Sequence, residues 1–236
     1  MSVLRRLNPN LALGAALLAL AAMAWCSLAL QSAGLAMAMS LSVSAYLITW
    51  VTMVMAMMLP ATAPLAVAYG RVAGARGGGR LAALPFTLGY VLLWTAAGLL
   101  PLAAFVGSRG MVAGMGASRF GAPALGAVLA VAGLYQLSPW KGACLRACRS
   151  PLGFVMAHDF DSGASGGLLA GAKHGAFCLG CCWALMAVLA VAGLMSLPWM
   201  GVLAALILAE KNWRHGSGLA RVAGAAMVLI GILVTL

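Results

Sequence analysis

The stretch LLAGAKHGAFCLGCCWALMAVLAVAGLM, residues 168–195, decides the fold class. Its only formal charge is Lys173, and its only histidine is His174. A bilayer-crossing helix needs about 20 largely apolar residues, and this run is long enough. Its reactive side chains are not scattered. At about 100° per residue, His174, Cys178 and Cys181 fall within about 60° of arc, with Cys182 at the edge. Met186 continues one turn beyond Cys182, and Trp183 points the other way. If the helix enters near residue 168, Cys178 lies about 15 Å deep, near mid-membrane.

The rest of the chain agrees. It has 236 residues, of which 64% are hydrophobic and 7% charged, and its mean hydropathy is +1.07. A soluble domain carries about 25% charged residues, so this chain cannot cover a water-facing surface. The expected fold is an all-α, polytopic helical membrane bundle forming one domain over 1–236. Seven spans are expected, at about 11–30, 43–69, 81–106, 120–137, 168–195, 197–211 and 219–236. The sixth is short and opens on Pro198, so six spans plus a re-entrant segment is the alternative. Arg5 and Arg6 precede a run long enough to span, which reads as a helix rather than a cleaved leader.

The net charge of +11 does not point to nucleic acid, because the basic residues sit in short gaps between apolar runs. Of the 14 Lys and Arg, only Arg109 and Arg119 fall on the side opposite the N-terminus. That asymmetry predicts a cytoplasmic N-terminus and an outward C-terminus, in the inner membrane of a bacterium.

Two further segments carry candidate chemistry. Span two reads WVTMVMAMMLPATAP (50–64). Trp50, Met53, Met57, Pro60 and Pro64 share one face there, while Met55 and Met58 fall elsewhere. The bland reading is that methionine fills gaps in a bundle. The sharper one is a thioether lining for a soft metal, beside carbonyls that the prolines free. The connection 138–167 holds Cys144, Cys148, His158, Asp159 and Asp161. Within it, Lys141–Arg149 is expected as a short interfacial helix between Pro139 and Pro151, with Lys141, Cys144 and Cys148 on one face. Gly163, Gly167, Gly171 and Gly175 recur every four residues; from Gly167 on they form a small-residue stripe that admits a close neighbour.

Thiolate, thioether and imidazole form the soft donor set that suits copper(I), with zinc next. The chain has only three acids, Asp159, Asp161 and Glu210, which argues against calcium or magnesium. The candidate ligands are therefore His174, Cys178, Cys181, Cys182, Met53 and Met57 near mid-membrane, with Cys144 and Cys148 as a second site at the cytoplasmic mouth. Met186, Lys141 and Glu210 are secondary candidates; Glu210 with Lys211 ends span six and reads either as an interfacial ion pair or as a gate or ligand contact. Several thiolates around one monovalent ion carry excess negative charge, so help from Lys173 and backbone dipoles is expected. The expected partners are the lipid bilayer, the metal ion, and a protein that donates or accepts it. Two other functions stay open: a thiol–disulfide oxidoreductase using Cys178 and Cys181, and a membrane scaffold whose cysteines only pack.

The segments MAMMLPATAP, YQLSPWKGACLRACRSP, HGAFCLGCCWALM and AEK (209–211) together resemble the bacterial family of predicted metal-binding integral membrane proteins, domain of unknown function 2182. The resemblance extends from about residue 46 to the C-terminal end. Trp140 stands where that family usually has leucine, and Ser196 where asparagine is common. Neither change removes a proposed ligand. The resemblance implies metal binding and membrane residence, and it leaves the metal, the reaction and the direction open.

Overall fold

A computed structural model describes residues 9–31, 42–76, 83–114, 121–150, 153–154, 163–193 and 197–235. Among these residues there are eight helices and no strand. They are α1 (Pro9–Gln31), α2 (Val43–Ala75), α3 (Ala83–Gly114), α4 (Gly121–Leu137), α5 (Pro139–Arg149), α6 (Gly163–Gly193), α7 (Leu197–Asn212) and α8 (Gly216–Thr235). Five of them, α1, α2, α3, α6 and α8, are long and apolar enough to cross a membrane. The fold is an all-α membrane bundle. At 17 and 16 residues, α4 and α7 are shorter than the other bundle helices. Arg5, Arg6, Arg80, Arg119, His158, Asp159, Asp161 and Ser196 lie outside the described residues.

Helix boundaries differ from the sequence expectation in ways that matter. Helix α6 starts at Gly163 rather than 168, on a glycine with φ of +58°, which L side chains rarely adopt. Helix α2 runs on to Ala75 through both Pro60 and Pro64. Pro60 has no N–H, so the carbonyl of Ala56, four residues earlier, loses its helical donor. The Trp25 indole of α1 replaces it, donating to Ala56 O at 2.9 Å. The freed carbonyl is thus consumed by packing and does not line a site. Burial along α2 is not confined to the face that carries Met53 and Met57. Met53, Met57 and Met58 are all buried, whereas Pro64 is exposed.

Cross-helix contacts fix relative directions. Tyr46 Oη donates to Gly98 O at 3.0 Å, while Tyr69 stacks on Phe86, so α2 and α3 are antiparallel. Gly167 backs onto Pro85 and Gly175 onto Leu93, so α3 and α6 run parallel. Gly126 faces Gly231 and Gly133 faces Gly224, so α4 and α8 are antiparallel. One end of the bundle therefore collects the end of α2, the starts of α3, α6 and α8, the ends of α4 and α7, and all of α5. Arg71, Arg76, Lys141, Arg146, Arg149, Lys173, Lys211, Arg214 and Arg221 belong to that end.

Candidate metal centre

Helix α6 supplies a strip of three buried thiols, Cys178, Cys181 and Cys182. The Cys181 sulfur lies 3.3 Å from that of Cys182, and its thiol donates to the Cys178 carbonyl at 3.2 Å. Cys178 faces different partners. The Tyr90 hydroxyl of α3 is 3.0 Å from its sulfur, and the Lys211 ammonium of α7 donates to it at 2.8 Å.

Helix α5 closes the strip from the side. Ser138 caps it, accepting from Lys141 N at 3.2 Å, and Pro139 occupies the first turn, where its missing N–H costs nothing. Arg146 and Arg149 sit in its last turn, where cations complement the helix dipole. Lys141 and Leu145 are buried and Trp140 is exposed, so α5 lies with one face on the bundle. That face brings the Cys148 sulfur to 3.9 Å from Cys181. The half-buried Cys144 packs against Gly180, so close that a β-carbon there would crowd its sulfur. Cys148 therefore stands beside the α6 strip. The six cysteines are free thiols, with Cys26 exposed on α1.

A polar frame holds α5 in register. Lys141 and Glu210, both fully buried, form an ion pair at 2.6 Å. Gln136 Nε2 donates to the other Glu210 oxygen at 2.9 Å. Arg149 donates to the carbonyls of Glu210 and Arg214 at 2.8 and 3.0 Å, satisfying groups at the end of α7. Tyr135 Oη donates to the Gly180 carbonyl. The expected Glu210–Lys211 ion pair is absent, for a geometric reason. Adjacent helical residues diverge by about 100° and do not face each other. Glu210 consequently turns to α5 and Lys211 to α6.

The other sequence candidates fall around this cluster. His174 is buried in an aromatic box. Its ring centroid lies 6.0 Å from Phe86, 5.8 Å from Tyr90 and 5.3 Å from Phe154, and its Nδ1 has no hydrogen-bond partner among the described residues. Tyr90 stacks on His174 and touches Cys178, so it stands between the imidazole and the thiols. Met53, Met57 and Met186 share one buried cluster with the three α6 cysteines. Lys173 is exposed, so Lys211 rather than Lys173 supplies the cation beside the thiols. Depth also shifts. The thiols are midway along α6, yet level with Lys211 near the end of α7 and Tyr135 near the end of α4. Among the described residues, no three His, Cys, Asp or Glu side chains are arranged as a group that could hold a metal ion. The sulfur atoms approach in pairs.

Sequence reasoning missed Tyr90, Tyr135, Gln136 and Lys211 as members of the site. The spacing rule for adjacent helical residues could have separated Lys211 from Glu210. No periodicity marks the two tyrosines, because their role depends on which helices meet.

A helical membrane bundle with buried, paired thiols beside a lysine defines a class of soft-cation-handling candidates. Residues 47–234 match the family described as PpoB2, copper chaperone, and the chain belongs to that family. No curated protein and no solved structure matches it. The chain is thereby associated with copper.

Proposed function

We propose that this chain holds one copper(I) ion on thiols from α5 and α6, and delivers it to an acceptor protein at the basic end of the bundle. The observation that carries this reading is the approach of Cys148, on a short surface-lying helix, to Cys181 on a membrane helix at 3.9 Å. Copper(I) favours soft thiolates and is satisfied by two of them, so paired thiols suit it where a four-ligand zinc cage is lacking. Cys182 and Cys178 stand beside the pair as exchange partners, and half-buried Cys144 lies one turn away from Cys148 on α5, against Gly180. A thiol ladder of this kind lets the ion pass by ligand exchange without ever being released to water. Met53, Met57 and Met186 supply a thioether-rich wall that excludes water. His174 is assigned a supporting role in its aromatic box. The excess of Lys and Arg at this end supports a cytoplasmic orientation in the bacterial inner membrane. Delivery is preferred to transport because the thiols lie level with helix ends and because the family is described as a copper chaperone.

The test is copper(I) retention by the purified full chain under reducing conditions, against a competing copper(I) chelator. Wild type is expected to retain one ion per chain. Cys148→Ser and Cys181→Ser should each weaken retention by at least about ten-fold, which corresponds to about 1.4 kcal/mol. Retention unchanged in both variants would overturn the reading.

A further inference from the structure

Among the described residues, Lys211 is a buried cation without a carboxylate. The charge next to it in sequence, Glu210, is taken by Lys141 at 2.6 Å, and those two cancel. Arg149 sits at the half-buried rim and reaches backbone carbonyls at the end of α7. The Lys211 ammonium, 7% exposed, is left to donate to the Cys178 sulfur at 2.8 Å. Cys182 and Cys181 lie within electrostatic reach of the same ammonium. A charge buried without its complement is strongly destabilising, so the thiols beside Lys211, with whatever they hold, are most stable when together they carry one net negative charge.

We infer that Lys211 is a specificity-determining residue that selects one monovalent soft cation, copper(I) or silver(I), held on two thiolates, against divalent ions such as zinc(II). This rests on the copper-binding reading above. A monovalent ion on two thiolates carries one negative charge, which Lys211 balances. A divalent ion on two thiolates is neutral, so it leaves the ammonium uncompensated in a low-dielectric setting. A third thiolate would restore balance for zinc(II), but no three such donors are arranged as a group among the described residues. Zinc sites usually take four ligands, so a paired arrangement is doubly unsuited to it.

The charge balance predicts an inversion, which a merely structural lysine would not produce. In Lys211→Met the two-thiolate zinc(II) complex becomes the neutral one, and the monovalent complex carries an unbalanced charge. In Lys211→Arg the balance is kept. The experiment loads the reduced, full-length protein in detergent micelles with equal silver(I) and zinc(II), and counts bound metal by mass spectrometry. Silver(I) is the probe because it does not change oxidation state. Wild type and Lys211→Arg are expected to retain silver(I) in preference. Lys211→Met should shift the silver-to-zinc ratio toward zinc by at least about ten-fold. An unshifted ratio in a folded Lys211→Met protein overturns the inference. If that variant does not fold, wild type and Lys211→Arg decide it: a zinc preference in either one overturns the inference, and silver preference in both supports it. A wild type that binds neither ion refutes the underlying metal-holding reading instead.

Discussion

At the residue scale, the most exposed consequence of the fold concerns Glu210. It neutralises Lys141 in a setting where both side chains are fully buried. Glu210→Gln keeps the contact with Gln136 but removes the carboxylate. Breaking one side of a buried pair costs about 3–5 kcal/mol, because the partner remains charged and dry. A lowered thermal unfolding midpoint in micelles is expected for Glu210→Gln, with most of the loss recovered in the Lys141→Met/Glu210→Met double variant. A double variant no more stable than the single would show that the pair is not what destabilises it. Lys141 and Glu210 were both legible in the sequence as candidates, since charges are rare in so apolar a chain. Their partnership was not. They are 69 positions apart, and only the docking of α5 on α7 joins them. The cysteines fared similarly. Helical spacing aligned Cys178 with Cys181 in advance, but the thiols that stand near Cys181 are Cys182 and Cys148.

At the scale of elements, the α3–α6 contact depends on missing side chains. A β-carbon at Gly171 would collide with the Phe86 backbone carbonyl, and one at Gly89 with the backbone of Leu168. Backbone cannot step aside as a flexible side chain can. Gly171→Ala should therefore destabilise the bundle by about 1–3 kcal/mol, the usual cost of overpacking. Gly201→Ala, where nothing lies within 4 Å, should leave the unfolding midpoint nearly unchanged. Equal effects from the two would contradict close α3–α6 packing. The stripe Gly167, Gly171 and Gly175 was legible from its four-residue spacing. Its partner was not, because α3 presents the single Gly89 and carbonyls rather than a matching stripe. The prolines of α2 teach the same lesson. Pro60 announced a vacant carbonyl, but only the fold shows that Trp25 fills it.

At the scale of the whole molecule, hydropathy located the five described helices that are long and apolar enough to cross a membrane, and the spacing of Cys and His flagged the two helices that carry the thiols. What the sequence could not supply was relative depth. Helix α6 is 31 residues long and its neighbours α4 and α7 are about half that, so a thiol midway along α6 is level with their ends. The thiols therefore sit toward the end of the bundle where the basic residues gather, with apolar helix on the other side. The account's central claim is that the ion binds to sulfur contributed jointly by α5 and α6. X-ray absorption at the copper edge of the copper(I)-loaded full chain tests this most directly. It should give a purely sulfur first coordination sphere with two ligands, and that signature should vanish in the Cys148→Ser/Cys181→Ser double variant. A sphere containing nitrogen or oxygen ligands, or a sulfur sphere that survives in the double variant, would contradict it.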